Sequence, residues 1–225
     1  MKTLVISLGG SLIVPSSIDV SYLRQFASFL SDLIKKNKVV VVTGGGEVAR
    51  RYIHALEEFH LHEDFRSWIG IKSTKLNALL LMSLFGYLEE VPDSVKEVKR
   101  LLKKRNLVIC GSLGFQEKTT SDGSAALLAE ALKADVFLNL TNVDGLFDKD
   151  PRKKGAKLLE RLSFSEFHAF VSHQTFKPGQ HFVLDKNAAY RLCHARVPLV
   201  ILHGRKLSHV KSFLEGRSFK GSLIS

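Results

Sequence analysis

At 225 residues, 45% of them hydrophobic and 24% charged, the chain can bury one full core, and no stretch of it reads as a low-complexity linker. It has no apolar run of about 18 residues, and its first eight residues read as a short strand without a signal-peptide cleavage pattern. Membrane insertion and secretion are therefore not expected, and a cytoplasmic protein is. The net charge of +11 raises the question of a nucleic-acid partner.

In chain order, apolar runs predict strands at 3–8, 38–43, 106–110, 135–140 and 198–202. Amphipathic spacing predicts helices near 20–36, 47–60, 63–84, 93–104, 122–133, 163–171, 185–195 and 207–214. In the first of these helices Tyr22, Leu23, Phe26, Phe29, Leu30, Leu33 and Ile34 form a core stripe. The tail, Phe219 to Ile224, reads as a late edge strand. Strands alternating with helices imply right-handed crossovers and a mainly parallel sheet covered on both faces, a three-layer αβα sandwich. We expect one domain over 1–225, with approximate lobes at 1–130 and 131–225.

The basic residues Lys96, Lys99, Arg100, Lys103, Lys104 and Arg105 recur at helical spacing around Val95, Val98, Leu101 and Leu102. That is a solvated helix face opposite a core stripe. No aromatic-interleaved basic stripe occurs, so no nucleic-acid partner is expected; attraction of anionic nucleotides is the milder consequence. Cys110 and Cys193 lack metal-site spacing and read as packed free thiols. The histidines are scattered, and no metal site is expected from them.

Three loops carry the chemistry. Thr3 to Leu8 runs into Gly9-Gly10-Ser11, and Val39 to Thr43 runs into Gly44-Gly45-Gly46, with Arg50 following. Strand, glycines, then helix is how a backbone offers bare N–H groups and a positive helix end to a phosphate. The third loop, Thr141-Asn142-Val143-Asp144-Gly145-Leu146-Phe147-Asp148-Lys149-Asp150-Pro151, follows a buried strand with a turn, an aromatic and a carboxylate. It falls at the carboxyl edge, where open α/β sheets bind ligands.

These residues, with Trp68-Ile69-Gly70-Ile71, Asn77-Ala78-Leu79, Ala125-Ala126-Leu127-Leu128-Ala129-Glu130, Lys133-Ala134-Asp135, Val183-Leu184-Asp185 and Gly221-Ser222, resemble the amino-acid kinase superfamily. Within it the sequence is most similar to the uridylate (UMP) kinases of archaeal type. The resemblance runs nearly end to end. It implies transfer of the γ-phosphoryl of ATP to UMP, giving UDP in pyrimidine nucleotide synthesis, with magnesium arriving on ATP. It also implies acceptor binding by the first lobe, ATP binding by the second, and a homo-oligomer, a hexamer in relatives.

Carried over by position, Gly9, Gly10, Ser11, Gly46 and Arg50 would hold the ATP phosphates, and Thr141, Asn142, Phe147 and Asp150 would line the ATP side. Phe147 stands where many relatives carry tyrosine and would stack on adenine. Gly45, Leu113, Gly114, Phe115, Lys118, Thr119, Thr120 and Ser121 would meet UMP, with Ser121 or Asp122 as the alternative helix cap. Arg50 and Asp185 are the candidate catalytic residues. Asp185 stands where acyl-phosphate-forming relatives have lysine, which favours a nucleotide acceptor.

The sequence departs from the pattern at several positions, which cluster on the acceptor side. Ser67 replaces an aspartate that takes ribose hydroxyls in the family; Asp64, three residues earlier, is the candidate substitute, or simply favours the helix's positive first turn. Ser7 stands where bacterial relatives have a lysine facing ATP. The 111–122 loop is longer than the family's, and 176–182 does not match well. Two alternatives stay open: a kinase of the same fold acting on another phosphorylated or carboxylated acceptor, and a non-catalytic nucleotide-binding or storage protein.

Overall fold

Valines fill the second strand without a break, Val39 to Val42, and all four are buried. A strand apolar on both faces belongs in the middle of a covered parallel sheet, and the computed structural model places it there. The structure describes residues 1–59, 63–114, 120–173 and 183–225.

The elements run β1 Lys2–Leu8, α1 Gly10–Ile13, α2 Val20–Leu33, β2 Asn37–Thr43, α3 Gly46–Glu57, α4 Glu63–Ser83, α5 Val95–Leu102 and β3 Leu107–Cys110. There follow α6 Ser121–Ala131, β4 Val136–Thr141, β5 Arg161–Leu162, α7 Phe164–His173, α8 Lys186–His194, β6 Leu199–His203, α9 Leu207–Leu214 and β7 Ser222–Ile224. The sheet order is β3-β2-β1-β4-β6-β7-β5. The expected αβα sandwich with a mainly parallel sheet is what forms.

One face of the sheet carries Val5, Val40, Val108 and Phe137 into a core with α5, α6, α7 and α8. The other carries Leu4, Ile6, Val39 and Leu138 into a core with α2 and α4. The α2 stripe holds: Tyr22, Leu23, Phe26, Leu30 and Leu33 are buried, and Asp19 caps the helix by accepting the Tyr22 N–H at 2.9 Å. Cys110 is buried and Cys193 half-buried, both as free thiols.

Register aligns the ends that matter. Leu8 pairs with Thr43 and with Leu140, Val42 with Cys110, and Thr141 with His203, so the loops after β1, β2, β3, β4 and β6 emerge along one edge. The chain winds outward from β1 through β2 to β3, then returns to β4 on the other side of β1. That reversal is a topological switch point, the place where such sheets open a crevice for ligands.

One expectation changes and two short elements are added. The tail is not an edge strand: β7 lies between β6, to which it is antiparallel, and β5, to which it is parallel. The two-residue β5 is the edge; it is too short to give a periodic signal. The short α1 was also not predicted, being a single turn that the glycines open.

Candidate active site

The two glycine turns at the switch point are pressed against each other. A Cβ on Gly10 would stand 2.0 Å from the Gly46 nitrogen, and one on Gly44 would stand 2.5 Å from the Gly10 nitrogen. Gly46 sits at φ +63, in the left-handed region. These glycines therefore let the chain approach itself, a role the phosphate reading alone did not contain. The Gly9 N–H is donated to the Leu140 carbonyl at 2.9 Å, so it joins β1 to β4 and is not a phosphate donor. Gly10 and Ser11, opening α1, stand at the crevice.

Helix α4 crosses this edge and pins the turns after β2 and β3. Asn77 donates its amide to the Gly44 carbonyl at 2.8 Å, and the Thr43 hydroxyl reaches the Thr74 carbonyl at 2.8 Å. The Thr74 hydroxyl accepts the Ser112 N–H at 2.9 Å, and Gly111 packs so close that a Cβ would fall 2.6 Å from that hydroxyl. Leu113 donates its N–H to Ser124 at 3.0 Å, and Gly114, at φ +54, donates its own to Asp93 at 2.6 Å. Lys75 of α4 closes on the same Asp93 oxygen at 2.7 Å. Phe115, Lys118 and Thr119 lie outside the described residues, as does 176–182.

Thr120 is the cap of α6, accepting the Gly123 N–H at 3.0 Å; neither Ser121 nor Asp122 fills that position, because both already belong to the helix. The Thr120 hydroxyl donates onward to Asp185. Asp185 in turn caps α8, accepting the N–H groups of Asn187 at 2.7 Å and Ala188 at 3.2 Å. Lys186 lies over the Tyr190 ring at 5.6 Å, so it does not share the place of Asp185.

The sequence placed Asp122 at the end of the acceptor loop, with a helix cap as its alternative role, and gave no sign of its partner. The structure puts its carboxyl beside the buried Ser7 hydroxyl, which donates to it at 2.6 Å. Burial pushes the Asp122 carboxyl up to about 6; the Ser7 hydrogen bond works against that rise, and the charge of Asp185 adds to it. A signal of the polar patch, though not of the pairing, was present in the sequence. Asn139 interrupts the apolar β4, pairs in register with Ser7, and donates to the Val183 carbonyl, so two buried polar residues lie side by side near the carboxyl ends of β1 and β4.

In the loop after β4, Thr141 ends the strand and its carbonyl accepts the Gly204 N–H at 2.8 Å. Asn142 is exposed and Phe147 half-buried, the latter bridged through its backbone to Leu158. Asp150 is held by Arg152 through its side chain, at 2.8 and 3.1 Å, and through its N–H at 3.0 Å, which draws the carboxyl down to about 2. Arg50 lies along α3 with its Nε donating to Glu47 at 2.8 Å, a contact that orients the guanidinium. Asp64 and Ser67 share the first turns of α4 and are both half-buried.

With this geometry in place, comparison with known proteins is decisive for the family. Residues 2–203 match the model of the Amino acid kinase family. The chain belongs to that family. It is 34% identical over 218 residues to the uridylate kinase of Thermococcus kodakarensis, covering 95% of this chain and 96% of that one. The uridylate kinase of Archaeoglobus fulgidus is 38% identical over 202 residues, covering 89% and 90% of the two chains. Its crystal structure superposes with a TM-score of 0.86 over the full length of both. The UMP kinase of Bacillus anthracis, at 22% identity and a TM-score of 0.83, shares the fold.

Proposed function

We propose that this chain is an ATP-dependent UMP kinase, moving the γ-phosphoryl of ATP onto the phosphate of UMP to release ADP and UDP. The observation that carries this is the likeness to archaeal uridylate kinases, about a third of positions over 95% of the chain, which takes in both halves of the crevice. Phosphoryl transfer depends on bringing donor and acceptor into line and neutralising the charge of the moving group.

In this reading residues 1–130 serve the acceptor and 131–225 serve ATP. Gly10, Ser11, Gly46 and Arg50 take the ATP phosphates, and Thr141, Asn142, Phe147 and Asp150 line the adenosine side. Gly45, Asp64, Ser67, Leu113, Gly114, Phe115, Lys118, Thr119, Thr120 and Ser121 are assigned to UMP. Asp185 positions the end of the acceptor loop through Thr120 while capping α8.

Magnesium carried on ATP fits the donors present: the carboxylates of Asp122 and Asp185 and the hydroxyls of Ser7 and Thr120 form an all-oxygen set suited to a hard cation. When bound, it would neutralise charge on the β- and γ-phosphates. Among the described residues no helix is long and apolar enough to cross a membrane.

Self-association is part of the same proposal. Phe65, Trp68, Leu76 and Leu79 form an exposed apolar row on α4, which a second copy of this chain would cover.

An acceptor panel tests the activity directly. With ATP and magnesium, ADP release should be fastest with UMP among nucleoside monophosphates and small carboxylates. Turnover with a carboxylate in preference to UMP, or ATP binding without turnover on any acceptor, would reject it.

A further inference from the structure

The loop assigned to ATP is tied down by one carboxylate that holds two ammonium groups from distant parts of the chain. Asp144 accepts Lys206 Nζ on one oxygen at 2.7 Å and Lys220 Nζ on the other at 2.8 Å. Lys206 comes from the turn between β6 and α9, and Lys220 from the turn before β7. The carboxylate side chain is only 18% exposed, whereas the lysines keep about half their surface in solvent.

Both anchors are themselves fixed. In the β6–α9 turn, Arg205 pairs with Asp19 at 2.8 Å and lies over the Tyr22 ring, while the Tyr22 hydroxyl donates to the Gly204 carbonyl at 3.2 Å. Beside β7, Lys220 donates its N–H to His209 at 3.2 Å, and the Ser222 hydroxyl accepts the Leu146 N–H at 2.8 Å. Gly145 is confined there, since a Cβ would fall 2.6 Å from the Ser222 hydroxyl. Burial opposes ionisation of Asp144, and the two lysines overcome it, taking the carboxyl down to about 2.

A loop that must present an aromatic ring and a carboxylate to a nucleotide gains from being fixed before the ligand arrives, because ordering it on binding costs affinity. We propose that Asp144, clamped by Lys206 and Lys220, is a positioning residue that presets the 141–150 loop for the adenine nucleotide. This rests on the assignment of that loop to ATP. The clamp joins the carboxyl ends of β4 and β6 to the start of β7, so it acts on the ATP half of the crevice; α4 and its partners hold the acceptor half.

Steady-state kinetics with each substrate varied in turn tests the inference, using Asp144→Asn, the pair Lys206→Met with Lys220→Met, Lys206→Arg, and Phe147→Ala as a control on the loop. Asp144→Asn should raise the KM for ATP about tenfold while leaving kcat and the KM for UMP unchanged. The double methionine variant should match it, and Lys206→Arg, which keeps the charge, should behave as the parent protein. An unchanged KM for ATP in Asp144→Asn overturns the clamp if Phe147→Ala weakens ATP, and overturns the loop assignment as well if Phe147→Ala is also silent. Equal rises for ATP and UMP would show a merely structural ion pair. Tighter ATP binding in Asp144→Asn would mean that the lysines contact the nucleotide themselves, and would also overturn it.

Discussion

Ser7 and Asp122, separated by 115 positions in sequence, meet at 2.6 Å near the carboxyl end of β1, where the serine hydroxyl donates to the carboxylate. The serine is 2% exposed. Asp122 is half-buried, and a carboxylate partly withdrawn from water with Asp185 nearby is held there at a cost to the fold.

The pH dependence of that cost can be measured. A carboxyl raised in the folded state to about 6 stabilises the protein most below the ordinary aspartate range near pH 4. That contribution is lost as pH rises through about 6. Asp122→Asn, which retains an acceptor for Ser7, should therefore gain stability relative to the parent between pH 4 and 7, by at most about 3 kcal/mol, while turnover falls sharply. Urea unfolding of both proteins across that range checks it. A stability difference that does not vary with pH would show that Asp122 is not desolvated.

Arg50→Ala should lower kcat/KM severely with little change in melting temperature. The Glu47 pair it breaks is half-exposed on the arginine side, and such pairs contribute about 0–1 kcal/mol. Loss of a charge-assisted phosphate contact is larger, about 1.5–3 kcal/mol in binding and more if it strengthens in the transition state. Unaltered kinetics would take Arg50 out of the site.

Phe147 is half-buried with its backbone fixed to Leu158, so its ring can change without unfolding the loop. Titration with ATP should find Phe147→Tyr close to the parent and Phe147→Ala weaker. Equal affinity in all three proteins would assign the ring to packing alone.

The ribose acceptor is tested on α4. Asp64→Ala should raise the KM for UMP and narrow the preference for UMP over dUMP with ATP affinity unchanged, and Ser67→Asp should lower the KM for UMP. If neither variant moves that constant, the ribose is held by other residues or UMP is not the acceptor.

What the sequence determined by itself was the order of the elements and the location of the loops. Unbroken β-branched runs such as Val39 to Val42 favour a strand inside a covered sheet, and glycines directly after β1 and β2 announce backbone turns at its carboxyl edge. Those are properties of neighbouring residues, so local pattern carries them. The tertiary structure decided which distant groups meet. Gly10 against Gly46, Ser7 against Asp122, Asp144 between Lys206 and Lys220, and β7 inserted between β6 and β5 all depend on strand order and register, which no local period encodes. The same fact explains why Gly9 passed as a phosphate donor in sequence: its N–H is claimed by Leu140, a partner that only the pairing of β1 with β4 brings within 2.9 Å.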